Sequence, residues 1–169
     1  MSDDCNAIMK IIKGRRSIRR FKSKPVEREK IETLLEAARW APSAGNAQPW
    51  DFIIITDSRT IQGLKTVMTG VMGNMKEGPV LILVCSNRNR ETAWSRYDIG
   101  CALQNILLCA HCMGLGACAI GGFDEGMIVK LLDLPEDSKP CLFITAGYPE
   151  SGVPVPRRRA VKEIIRREV

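Results

Sequence analysis

The sequence predicts one layered domain that mixes helices with strands, of α+β or α/β class. Segments with helical spacing and short β-branched runs follow one another without a strict repeated β-α-β order. The longest periodic segment is apolar almost all the way round, which predicts a buried central helix. With 169 residues, 45% of them apolar and 26% charged, the chain has ordinary globular composition and can bury about 70% of its unfolded surface. That excludes wholesale disorder and predicts a single domain over residues 1–169.

The elements follow in chain order. Pro25 is a start signal, and Ile31, Leu34, Leu35 and Ala38 then recur at i, i+3, i+4 and i+7, which predicts a helix over 26–40. Asp51 to Thr56 is a β-branched run read as a buried strand. Asp57 caps a helix to Thr69 that carries Ile61, Leu64 and Met68 on one side. Pro79 to Cys85 reads as a second buried strand. The central helix spans 95–113 with Ile99, Ala102, Leu103, Ile106, Leu107, Ala110 and Met113. A strand over Ala117–Gly121, a helix over Asp124–Leu132 stopped by Pro135, a strand over Cys141–Gly147 and a terminal helix over Val161–Arg167 complete the expectation.

No run reaches the roughly 18 apolar residues of a membrane span, and the opening Met1-Ser-Asp-Asp-Cys-Asn lacks the features of a secretory signal, so a cytoplasmic protein is expected. Seven scattered cysteines, an odd number, fit reduced thiols better than a disulfide framework. The net charge of +6 is uneven: residues 10–30 hold ten Lys or Arg against two Glu, and residues 156–169 hold six against two. The rest of the chain is net acidic. Charge alone leaves three readings open: a solvated face, a small-anion site or a nucleic-acid patch.

Several motifs have bland readings. Gly114-Leu-Gly116-Ala-Cys-Ala119 matches a dinucleotide fingerprint in letters, but it follows a helix and opens a strand, the reverse of what that site needs, so Gly114 reads as a helix C-cap. Cys109 and Cys112 flank the only histidine, His111; with Cys101 they fall on one helix face and read as core thiols, not as a metal site. A lone histidine leaves no spare parts for a Ser-His-Asp triad. Met68, Met72 and Met75 among Gly70, Gly73 and Gly78 read either as core filler or as a mobile flap over a flat ligand.

The strongest signal is Arg15-Arg16-Ser17-Ile18-Arg19, cations and a hydroxyl suited to phosphate oxygens, placed before an apolar anchor at Phe21. It is paired with Pro42-Ser43-Ala44-Gly45-Asn46-Ala47-Gln48-Pro49-Trp50, a loop of small residues and amides that can bring backbone donors close to a ring edge. At these two motifs the chain resembles the nitroreductase family of FMN-dependent oxidoreductases. The resemblance continues through Asp98-x-Gly100, Gln104-Asn105, Ala119-Ile-Gly121-Gly122-Phe123, Gly147-Tyr-Pro149 and Arg158-Arg159-Ala160-Val161.

The resemblance implies an α+β, three-layer fold with a central, mostly antiparallel sheet flanked by helices, in an obligate homodimer with two FMN at the interface. It implies that Arg15, Ser17, Arg19 and Arg158 hold the flavin's phosphate, ribityl chain and pyrimidine edge, with help from Arg16. Pro42, Ser43, Ala44 and Asn46 would reach the flavin from the second subunit, and Gly121 and Gly122 would offer N–H groups near N5. NADH or NADPH would be the electron donor and a nitroaromatic, quinone or flavin the small-molecule acceptor, by ping-pong hydride transfer with no dedicated catalytic side chain, no metal, no nucleic acid and no membrane. Ala160 stands where the family usually has Pro, which leaves Arg157, Arg158 and Arg159 as alternatives at the phosphate. The family's Asn and Lys pair has only Asn74 and Lys76 as candidates, and its larger helical excursion is absent or minimal. Two rival functions are a flavin-binding or sensing protein without turnover and a basic nucleic-acid-binding module.

Overall fold

The computed structural model describes residues 2–68 and 78–168. Its order is α1 (Asp3–Gly14), α2 (Arg28–Arg39), β1 (Trp50–Ile55), α3 (Ser58–Lys65), β2 (Val80–Asn87), α4 (Ser95–Cys112), β3 (Gly116–Ile120), α5 (Glu125–Leu132), β4 (Ser138–Gly147) and α6 (Val161–Ile164). The four strands form one antiparallel sheet in the order β1-β2-β4-β3. The class is therefore α+β, with helices on both faces of the sheet.

Strand alternation builds the layers. On β2, Val80, Ile82 and Val84 face one cluster with Ile144 and Ala146 of β4, packed against Leu34 and Ala38 of α2 and Ala102, Ile106 and Ala110 of α4. The intervening Leu81, Leu83 and Cys85 face the other way with Phe143, against Leu64 of α3 and Ile128 of α5. Both faces of β2 are covered, which is why it reads as an unbroken apolar run instead of alternating.

Boundaries shift for local reasons. Asp57 caps its helix as expected, accepting from the Thr60 N–H, and Asp124 is likewise the cap and not the first residue of its helix, accepting from the Met127 N–H. β4 starts at Ser138, before Cys141, and the register of β2 against β4 shifts between Val84 and Cys85, opposite Pro140, which has no N–H to donate. α3 ends at Lys65, short of the expected Thr69, and α6 covers Val161–Ile164 instead of reaching Arg167. Met72 and Met75 of the methionine segment lie outside the described residues, as do Asn74 and Lys76; Met68 is buried.

Two expectations need correction. The N-terminal helix α1 was not anticipated: Ser2 caps it, Asp3 and Asp4 stand in its first turn and Lys13 in its last, yet none of its residues is buried. Cys101 and Cys112 are exposed, not core thiols, while Cys109 is half-buried. α4 is central, but one stripe of it, including Tyr97, Gly100, Cys101 and Gln104, faces outward. No helix among the described residues is long and apolar enough to cross a membrane.

Candidate active site

The cationic segment begins where α1 stops. Arg16 turns back to donate to the carbonyls of Lys13 and Arg15, at 2.6 and 2.7 Å, so its side chain caps the helix. The chain then runs beside β3. The Ile18 N–H donates to Ala117, and Ile18 is buried against Gly116, where a Cβ would lie 2.5 Å from the Ile18 Cβ. Phe21, also buried, bridges to Pro149, and the Lys22 N–H donates to the Tyr148 carbonyl. The two apolar anchors, Ile18 and Phe21, hold the segment while Arg19 and Arg20 between them stay exposed.

A second lock sits at Tyr148. Its Oη donates to Glu27 and accepts from Lys30, while Lys24 lies 4.0 Å from its ring centroid. The Tyr148 hydroxyl, ahead of the Lys24 ammonium, holds the Glu27 carboxyl down at about 2.

Arg15, Ser17 and Arg19 converge on one side of β3. The buried Cys118 thiol sits within reach of the Ser17 hydroxyl and in the field of Arg19 and Arg15; burial nevertheless pushes it up. Neither Arg15 nor Arg19 has a carboxylate partner among the described residues. A cleft of about 420 Å³ opens beside Arg15, lined also by Ile18, His111, Gly114, Pro149 and Val153, and a smaller one of about 260 Å³ is lined by Ser17, Arg19 and Arg20. Gly121 and Gly122 follow β3 and are exposed; a side chain at Gly121 would meet nothing within 4 Å. Just beyond, Phe123 bridges Met68, and the Asp124 N–H donates to Val67. From Ala117 to Gly121 the strand advances about 13 Å, so the cationic end and the glycine end bracket an elongated surface.

The Pro42–Trp50 loop lies elsewhere. Its Ala44 N–H lies 3.3 Å from both carboxylate oxygens of Asp98, in the first turn of α4, and the Ser43 hydroxyl accepts from the Gln48 N–H. Gly45, Asn46 and Gln48 all take positive φ, a tight path that exposes Pro42 and Asn46. Gly14, by contrast, packs on His111 in the last turn of α4: a Cβ on it would lie 2.5 Å from Nε2. Asp98 and His111 are about 20 Å apart along the helix. One chain therefore keeps the cationic segment and the Ser43–Ala44 loop at opposite ends of α4. Asp98 stands out in the sequence only as part of the Asp98-x-Gly100 motif, and nothing local in the chain signals its contact with Ala44, 54 residues away.

Arg158 is exposed, and no hydrogen bond or ion pair holds it among the described residues. It lies on an arm after β4 that leaves Val155, Val161 and Ile164 in solvent. Gly114, with φ of 73°, closes α4 in a Schellman motif: Gly114 N–H to His111 and Leu115 N–H to Ala110. It is a cap and not a phosphate loop.

Known proteins are similar to this chain over most of its length. The profile described as "Nitroreductase family" matches residues 12–72 and 68–148. A provisionally named NADH dehydrogenase/NAD(P)H nitroreductase of Methanothermobacter thermautotrophicus is 37% identical over 151 residues, covering 84% of this chain and 77% of that protein. A provisionally named nitroreductase of Desulfovibrio desulfuricans, solved in complex with FMN, is 31% identical, with 96% of each chain covered and a TM-score of 0.83. The iodotyrosine deiodinase of Thermotoga neapolitana is 28% identical, covering 89% of this chain and 94% of that one. From the matched profile, the four-stranded antiparallel sheet with helices on both faces and the cationic segment beside β3, the chain belongs to the nitroreductase family.

Proposed function

We propose that this chain is an FMN-dependent NAD(P)H oxidoreductase whose two sites are completed across a homodimer. The observation that carries it is the set of cations beside β3, Arg15 and Arg19, which have no carboxylate partner among the described residues and share a side with the Ser17 hydroxyl. That donor set fits a phosphate and its neighbouring hydroxyls. The exposed Gly121 and Gly122 fit a flat ring edge, because a backbone without side chains lets the ring come close to an N–H.

Bound FMN would supply hydride acceptance from NADH or NADPH and its return to an acceptor. The chain's own part is position and charge. Arg15, Ser17 and Arg19 orient the phosphate end, and Gly121 and Gly122 donate to the ring edge. Arg158, from the terminal arm, adds a further fork to the phosphate. Arg16 contributes main chain, since its side chain is engaged with α1. Pro42, Ser43, Ala44 and Asn46 belong to the second copy's contribution, which the 20 Å separation along α4 favours. The apolar residues left in solvent on α1 (Ile8, Ile12) and on the arm (Val155, Val161) support a partner of the same kind.

The visible spectrum of purified protein, before and after anaerobic NADH or NADPH, tests this. Flavin bands that bleach are expected. A flavin that stays oxidised with either nicotinamide would favour binding without turnover, and protein that takes up no FMN would overturn the proposal.

A further inference from the structure

An exposed aromatic pair stands at the N-terminal end of α4. Trp94 caps the helix and Tyr97 lies in its first turn; their ring centroids are 5.7 Å apart with a tilt of 48°. Both remain open to solvent, at 61% and 67% exposure. Trp40 is exposed as well, but it is engaged: its Nε1 donates to Glu36, and the Arg39 guanidinium lies 5.2 Å from its ring. The Trp94 and Tyr97 rings have no charged partner among the described residues.

Their position ties them to the site. The Asp98 N–H donates to the Trp94 carbonyl at 3.1 Å, and the Asp98 carboxylate accepts from Ala44. The aromatic pair and the Ser43–Ala44 loop are thus two parts of one corner, and whatever surface the loop approaches, the pair approaches with it. We infer that Trp94 and Tyr97 form the platform that selects a planar aromatic electron acceptor at the flavin held by the partner copy. This rests on the proposed FMN function. Tilted rings with free faces accept a third flat ring by stacking or edge contact, whereas a small octahedral oxidant gains little from them. For a quinone the balance is simple: NAD(P)H gives two electrons and one proton, solvent gives the second proton, and a hydroquinone leaves. The platform moves no proton and no electron; it positions the ring.

The test uses the FMN-loaded protein with Trp94→Ala, Tyr97→Ala and the conservative Trp94→Phe. Oxidised enzyme without nicotinamide is titrated with a naphthoquinone, reading quenching of tryptophan emission, and steady-state KM is compared for the naphthoquinone and for ferricyanide. Trp94→Ala should raise the quinone KM relative to that of ferricyanide by about threefold to tenfold and weaken the quenching isotherm, and Trp94→Phe should recover most of both. An unchanged ratio overturns the inference while leaving FMN function intact. So does a change in oligomeric state of Trp94→Ala by sedimentation, which would assign the pair to a subunit contact. Protein without bound flavin, visible in the absorbance before any acceptor is added, overturns both readings.

Discussion

The main-chain N–H of Ala44 lies 3.3 Å from each carboxylate oxygen of Asp98, and this contact ties the Pro42–Trp50 loop to the first turn of α4. Asp98 is only 6% exposed and sits where the helix dipole favours a negative charge. Asp98→Ala removes the acceptor and leaves a main-chain donor without its partner. The expected cost is about 1–3 kcal/mol, read as a lower urea midpoint with an unchanged m value. Flavin retention should fall as well; a stability loss with unaltered FMN affinity would separate the loop from the site.

Arg15→Ala and Arg158→Ala should each weaken FMN binding by about 1.5–3 kcal/mol, roughly tenfold to a hundredfold, if each loses a charge-assisted bond to phosphate. Arg167→Ala, farther along the arm, should change it little. Fluorescence titration of FMN reads all three. Equal losses from Arg158 and Arg167 would mean that diffuse charge, and not a fork at one position, holds the anion.

The backbone of β3 approaches Ile18 so closely that Gly116 admits no side chain, since a Cβ would stand 2.5 Å from the Ile18 Cβ. Gly116→Ala should destabilise by about 1–3 kcal/mol through overpacking and displace the cationic segment with it. Combined with Ile18→Gly, which removes the opposing Cβ, the two losses should be less than additive, a coupling that a double-mutant cycle measures. Additive effects would show that the two residues do not share the space.

Stability should fall at both ends of the pH range. Burial pushes the Cys85 thiol up to about 12, and Cys109, Cys118 and Cys141 are raised for the same first reason. The unfolded chain therefore loses those protons first, and stability present below about pH 9 declines as pH rises toward 12. Glu27 is held at about 2 by Tyr148, and Glu36 at about 2 by Arg39 and Trp40, so their contribution is present above about 4.5 and lost as pH falls toward 2. Because both carboxylates are exposed, the acid limb should be the weaker one. Urea midpoints across pH read both limbs, and Cys85→Val should shallow the alkaline one.

What could be read from the sequence follows from burial. α2, α4 and the strands announce themselves because their apolar spacing matches a face that is covered, as at Leu34 and Ala38 or along Val80 to Cys85. α1 escaped because its isoleucines Ile8 and Ile12 meet no core in one chain. Cys101 and Cys112 were misassigned for a related reason: spacing marks a face of α4 but does not say whether the same chain covers it. The cationic segment and the glycine pair were legible as motifs. The Asp98 to Ala44 contact was not, because 54 residues separate its partners and no local pattern links a carboxylate to a distant main-chain N–H.

If one FMN site draws its cationic segment from one copy and its loop from the other, mixed dimers will separate the two contributions. A chain carrying Arg15→Ala and Arg19→Ala is paired with a differently tagged chain carrying Asp98→Ala, and the purified heterodimer is titrated with FMN alongside each parent homodimer. In the heterodimer one site collects all the substitutions and the other collects none. One FMN should bind per heterodimer with the affinity of the unsubstituted protein, while both parents bind weakly. A heterodimer that binds as weakly as its parents would contradict it and place each site within a single chain.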